Sequence, residues 1–264
     1  MKKIVFIIFF SAIAFWFGSL FSFISLGHTE TITIRADLWC PYNCDPDSDM
    51  PGYIIEIARQ IFEKAGNSVD YQILNWARAI EETRQGNFDA IVGAYKHDAP
   101  DFVFPESAQG QAVDMFYTTG DSLWRYTSSD SLAGTTIGII KDYSYGEKLD
   151  TYIKKNPNQF VVLHGSDVFS RNIKMLLLGR TTALIANKSV MDRHFSIERN
   201  LTGRIVEAGI ATVENVYIAF SPGNPRSKIY ARILSDGIAT LRTSGELKKI
   251  LEKYKLTDWQ TPAF

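Results

Sequence analysis

The sequence has no Gly-x-Ser-x-Gly elbow, no glycine-rich phosphate loop and no His-Glu-x-x-His helix. The common hydrolase, nucleotide-binding and zinc-protease chemistries therefore find no starting point in it. Histidine is sparse, and His97, His164 and His194 stand singly. Glu81 and Glu82 are adjacent on a predicted helix and point in different directions, so they do not form a working carboxylate pair. Charge of either sign is not in excess: 28 Lys and Arg face 29 Asp and Glu, a net −1. That balance argues against nucleic acid or an anionic membrane surface as a partner. No linker is rich in Pro, Gly or Ser, and no low-complexity tract occurs. No catalytic residue, cofactor or metal ion is expected.

What is present begins with Met1-Lys2-Lys3 and an almost uncharged run from Ile4 to Gly27. A short basic segment before an apolar stretch is the pattern of a secretory signal, and Ser25 and Gly27 are small residues suited to a cut before His28. The run also comes close to the roughly 20 apolar residues that span a bilayer, so an uncleaved N-terminal anchor is the alternative. Either reading places the remaining residues outside the cytoplasm, in the periplasm. Without Lys2 and Lys3 the balance is 26 basic to 29 acidic, or about −3. The 236 residues from 29 onward suffice for two lobes.

The two cysteines, Cys40 and Cys44, are both in Trp-Cys-Pro-Tyr-Asn-Cys. In an oxidising compartment this pair is expected to close a small disulfide ring that fixes the loop's shape more than it stabilises the fold. Zinc is the weaker reading, because a structural site needs four ligands and the histidines are scattered. A redox pair is also weaker, since the spacing is not Cys-x-x-Cys.

Strand-like and helix-like segments alternate after residue 30. Strands are predicted at Thr31–Ala36, Val69–Leu74 and Phe88–Gly93, with helices at Ile54–Ala65 and Trp76–Arg84, the second capped by Asn75. A second series follows: strands at Thr136–Ile140, Phe160–Leu163 and Thr182–Ala186, helices at Ser144–Lys154 and Val168–Leu178. Two extended segments, Met115–Tyr126 and Val216–Phe220, flank the second series. Helices at Arg226–Leu241 and Gly245–Tyr254 complete the pattern. Such alternation implies mainly parallel sheets flanked by helices. The layout suggests one lobe interrupted by another, residues 29–118 with 219–264 and residues 119–218; a single large doubly wound sheet is the alternative that fits the same pattern. The crossings would lie near Tyr117–Asp121 and Tyr217–Ser221, forming a hinge.

Several motifs resemble the family 3 extracellular solute-binding proteins, the polar amino acid receptors of ABC transporters. They are Trp39-Cys40-Pro41, Gly52-Tyr53-Ile54-Ile55-Glu56-Ile57-Ala58, Trp76 thirteen residues before Asp89, Phe102-Val103-Phe104-Pro105 and Gly179-Arg180-Thr181-Thr182-Ala183. The resemblance spans nearly the whole chain after residue 28. It implies a two-lobed α/β fold of the type II periplasmic-binding-protein kind, a ligand held between lobes, a monomer, and a membrane permease as partner. It further implies that Trp39 and Trp76 flank the ligand with aromatic rings. Gly93 to Lys96 would offer backbone groups to a carboxylate, Asp142 to Tyr145 would be a helix start in the second lobe, and Asn187 would stand where the family places an ammonium-binding Asp. Two departures argue against a plain α-amino acid: the family's Thr-x-x-Arg is missing from His97-Asp98-Ala99-Pro100-Asp101, and Asn187 is uncharged. A small polar or anionic solute, amino-acid-like or related, is the expected ligand. The alternatives are a dehydratase- or lyase-like enzyme on the same scaffold, or a sensing subunit for a membrane signalling partner.

Arg78 is a candidate anion anchor, since a guanidinium offers a planar fork of donors. The competing reading is an ion pair with Glu81 or Glu82, worth well under ~1 kcal/mol. Trp39 and Trp76 are either ligand-stacking or core residues. Tyr143, Ser144 and Tyr145 stand at a predicted helix start, where free N–H groups attract anions. Capping by Asp142 or Ser144 is the alternative. Lys96 faces either the cleft or solvent.

Overall fold

A computed structural model describes residues 29–165 and 167–260. The signal or anchor segment predicted over residues 1–28 lies outside them. Eight strands form one curled sheet: β1 (Thr31–Ala36), β2 (Ser68–Ile73), β3 (Ala90–Ala94), β4 (Gly110–Thr119), β5 (Ile137–Ile140), β6 (Phe160–Leu163), β7 (Ala183–Asn187) and β8 (Ile205–Phe220), in the spatial order β2-β1-β3-β8-β4-β7-β5-β6. Seven α-helices cover it: α1 (Tyr53–Lys64), α2 (Trp76–Arg84), α3 (Glu147–Lys155), α4 (Val168–Leu177), α5 (Lys188–Ile197), α6 (Ser227–Thr243) and α7 (Glu246–Lys253).

The sheet has two parallel halves. β1 pairs in parallel with β2 and β3, and β5 with β6 and β7. Short, apolar, doubly covered strands are what parallel pairing demands, and β7 is buried along its whole length. The halves are joined by two antiparallel strands. β8 pairs with β4 from Ile205 to Val216 and then with β3 from Tyr217 to Phe220. β4 pairs with β7 from Asp114 to Tyr117.

Each half carries its own core. In the first, the i, i+3, i+4 stripe of α1 (Ile54, Ile57, Ala58, Ile61, Phe62) packs on Ile32, Ile34 and Phe220, with Leu234 and Ile238 of α6 beside it. Gly237 makes this helix contact possible: a Cβ there would stand 2.4 Å from Ile61 Cγ2. In the second half, Phe116, Ile137, Ile139, Tyr145 and Ile185 fill one face, and Met115, Tyr117, Leu176 and Met191 the other.

Four elements differ most from the sequence expectation. α5 had no counterpart, because Lys188–Ile197 buries only Met191 completely and so shows no apolar stripe. β8 begins eleven residues before the predicted Val216, its early half alternating weakly around Gly209. β4 spans Gly110–Thr119 instead of Met115–Tyr126, and α3 starts at Glu147 instead of Ser144.

Candidate functional site

The C-terminal ends of β1, β3, β5 and β7 converge on one cavity of about 450 Å³, walled by both halves of the sheet. This is where open parallel sheets offer loops and helix starts to a ligand. From the first half come Asp37 to Cys40 after β1, Trp76 opening α2, and Val92, Gly93, Tyr95 and Asp98 at and after β3. Asp114 comes from β4. From the second half come Ile140 and Tyr143 to Tyr145 after β5, Phe169 on α4, Ala186 and Asn187 on β7, and Arg193 and His194 on α5.

The Trp39 wall is braced from behind. Its ring stacks on Tyr42 at 4.1 Å and meets Tyr95 edge-on at 6.3 Å, while Cys40 and Cys44 close a disulfide with Cα atoms 4.7 Å apart. Gly93 has φ 92°, and a Cβ there would lie 3.2 Å from the Trp39 ring. Only glycine fits both that backbone and that approach.

Polar contacts cross between the halves. The Tyr143 hydroxyl donates to Asp37 Oδ2 at 3.3 Å, His97 Nε2 lies 2.7 Å from Ser144 Oγ, and Asn187 Nδ2 donates to the Tyr42 hydroxyl at 3.2 Å. Ser144 donates to Asp150 Oδ2 at 2.6 Å, so it accepts from His97.

Of the residues singled out in the sequence, Trp39, Trp76, Gly93, Tyr143, Ser144, Tyr145 and Asn187 line this cavity. Arg78 and Lys96 do not. The Arg78 side chain is 68% exposed and pairs with Glu82 at 3.5 Å, the surface ion pair set against the cleft role above. Lys96 is exposed, its Nζ 5.2 Å from the Tyr217 ring centre. The anion site expected at the start of α3 is already engaged: the Tyr145 N–H donates to Asp150 Oδ1 at 2.9 Å. Asn187 is likewise committed, its Oδ1 accepting from the Ser189 and Val190 N–H groups as the cap of α5.

Sequence reasoning overlooked four carboxylates here, the exposed Asp167 and three less exposed ones, Asp37, Asp98 and Asp114. Burial pushes all three carboxyls upward, and Asp114, only 5% exposed, is raised to about 7, with Glu214 and Asp150 adding to the effect. A signal for Asp114 was legible, a lone acid in the apolar run Val113-Asp114-Met115-Phe116-Tyr117. Among the described residues no three His, Cys, Asp or Glu side chains converge closely enough to hold a metal ion.

The sequence profile of the bacterial extracellular solute-binding proteins, family 3, matches residues 32–257. The chain belongs to that family. Membership implies an extracytoplasmic location, and among the described residues no helix is long and apolar enough to cross a membrane. A search among curated proteins finds no match.

Solved structures show the same fold at low identity. One is a histidine kinase sensor domain with similarity to periplasmic binding proteins (TM-score 0.69, 19% identity, 86% of this chain and 98% of that one). Another is a mutant of ArgBP from T. maritima (0.66, 16%, 85% and 94%). A third is the probable amino-acid ABC transporter extracellular-binding protein ytmK from Bacillus subtilis (0.67, 15%, 88% and 100%). The architecture is thus the type II periplasmic-binding-protein fold, a mixed α/β fold with a curled sheet.

Proposed function

We propose that this family 3 protein is a binding protein and not an enzyme, capturing a small polar, amino-acid-like solute in the cavity between two lobes. The solute then passes to the permease of an ABC transporter. The lobes are residues 29–113 with 216–264, and residues 114–215, a few residues from the boundaries 118/119 and 218/219 expected from the sequence. The change of partner along β8 and the entry of β4 into pairing with β7 at Asp114 support a hinge in these two strands, with the β4 crossing at or just before Asp114.

One observation carries this reading: a single cavity of drug-like size draws its walls from both halves, with apolar and aromatic surface around a few polar groups. Hinge closure over such a cavity buries a ligand without reshaping either core. Trp39 and Trp76 supply flat apolar faces, and Asn187 and Ser144 supply polar contacts from the second lobe.

The test is thermal melting of residues 29–264 against a broad panel of amino acids, amines and organic acids, followed by small-angle scattering on each hit. A solute at 100 times its Kd raises stability by about 2.7 kcal/mol, and the closed form is more compact. Hits without compaction, or no hits across the panel, overturn the proposal.

A further inference from the structure

The cavity's charges are lopsided. Asp37, Asp98 and Asp114 line it, together with an exposed Asp167, against Arg193 and His194. Asp114 is the informative one. It sits on β4 directly opposite Asn187 on β7, is 5% exposed, and lines the cavity. The Asn187 side chain is close enough to favour the Asp114 carboxylate slightly, against the stronger effect of burial, but no full hydrogen bond to that carboxylate forms among the described residues. The neighbouring Asn187 amide oxygen caps α5, and its nitrogen donates to Tyr42. The other charges nearest to it, Glu214 and Asp150, are also negative. A buried carboxylate without a cation is costly, and proteins that keep one pair it with something. Asp114 lines the cavity, so a ligand there can supply the missing charge.

Most groups that would hold an anion are engaged elsewhere, and Arg193 stands on the exposed rim of the cavity, away from the buried end where Asp114 is. Arg78 pairs with Glu82, the Tyr145 N–H is taken by Asp150, and His194 faces Glu198 at 3.6 Å. The walls are aromatic (Trp39, Trp76, Tyr143, Phe169), surfaces that attract an organic cation through the face of the ring. They offer nothing comparable to a hydrated metal ion, and no three metal-ligating side chains converge among the described residues.

Building on the solute-binding reading above, we infer that the cavity selects a small organic cation, an amine or guanidine. Asp114 pairs with its charge, Asp98 and Asp37 lie nearby, and no carboxylate is required on the ligand. Asp98 is held ready by the Tyr95 N–H at 2.9 Å, and Asp37 by the Tyr143 hydroxyl. Asp114 thereby supplies the negative charge that the neutral Asn187 opposite it lacks.

The test is titration calorimetry at pH 8 with four probes on residues 29–264: agmatine, putrescine, L-arginine and glutarate. The first two carry cationic groups and no carboxylate, the third carries both, and the fourth carries carboxylates alone. Agmatine or putrescine is expected to bind at least as tightly as L-arginine, and glutarate not at all. Asp114→Asn is expected to weaken the bound cation roughly 30-fold or more, as loss of one partner from a buried charge pair does. Asp98→Asn should give a smaller loss, which guards against a folding defect confined to the Asp114 variant. Binding of glutarate in preference to the amines, or full cation affinity in folded Asp114→Asn, overturns the inference and leaves the solute-binding proposal standing. If none of the four probes binds but neutral solutes of the broad panel melt the protein higher and compact it, this inference alone falls. Silence of both the probes and the panel removes the two together.

Discussion

Asp114 has consequences measurable before any ligand is known. Its carboxyl titrates near pH 4 in the unfolded chain and at about 7 in the folded protein, where burial comes first among the causes. Between those values the folded state keeps a proton that the unfolded state has released, so stability falls as pH rises through the window. The loss by pH 8 is on the order of 4 kcal/mol for a shift of this size. The groups facing Asp114 from the neighbouring elements leave that sign unchanged, although the Asn187 side chain opposes the shift in part. Tyr42, Tyr95 and Tyr145 have their own hydroxyls pushed upward by burial and are uncharged across the window, while Glu214 and Asp150 are like-charged neighbours that strengthen the shift. Asp114→Asn removes the titration. The ligand-free variant should melt several degrees above wild type at pH 8, at about 2–4 °C per kcal/mol, and level with it near pH 4. A variant that melts below wild type at pH 8 would mean that the carboxylate is satisfied after all. Arg78 predicts the opposite kind of result. Being exposed and paired only with Glu82, it should tolerate Arg78→Ala with a stability change within about 0.5 kcal/mol and unchanged solute affinity by calorimetry.

At the level of elements, Asn187 ends β7 and starts α5 without an intervening turn, its Oδ1 accepting two helix N–H groups while its amide reaches Tyr42 across the cleft. Asn187→Ala should therefore cost about 1–2 kcal/mol in chemical denaturation from the lost cap. Asn187→Asp keeps an acceptor at the cap and should lose less. Most elements were legible because their burial is one-sided or complete: the stripe Ile54, Ile57, Ala58, Ile61, Phe62 reads as a helix, and Thr182–Ala186 reads as a buried strand, one residue out of step with the observed β7. α5 was not, because a helix with one fully buried residue leaves no period to read, and its cap Asn187 looks the same in sequence as any strand-ending Asn. The aromatic and glycine parts of the cavity wall were legible from motif order. Of the acids only Asp114 left a signal; Asp37 and Asp98 did not, because they reach it only when the ends of β1 and β3 are brought to β4 across β8. Arg78 was misleading for the converse reason: it stands two residues after Trp76, yet a helix turns that far through more than half a circle, so the two side chains leave the helix on different faces.

On the scale of the whole molecule, the polar bridges between the halves decide how readily the cavity opens. Tyr143 to Asp37, His97 to Ser144 and Asn187 to Tyr42 all join residues on opposite sides of the cavity. None of the three belongs to either apolar core's internal packing alone except through Tyr42, which is buried beside Trp39. A hydrogen bond of this kind contributes about 1 kcal/mol net. If it exists only when the lobes meet, removing it shifts the open-to-closed ratio about fivefold while leaving each lobe's own stability intact. Tyr143→Phe is the cleanest change, since it deletes one hydroxyl and keeps the aromatic wall. It should weaken any bound solute about fivefold, chiefly through faster release, because closure follows capture. His97→Ala should act in the same direction, and the two together should multiply, the contacts being made by different residues. Melting of the ligand-free variants should stay near wild type, while small-angle scattering should give the double variant a larger radius of gyration. Equal loss of melting temperature and affinity would instead place these contacts within the fold proper, and the two halves would then move as one body.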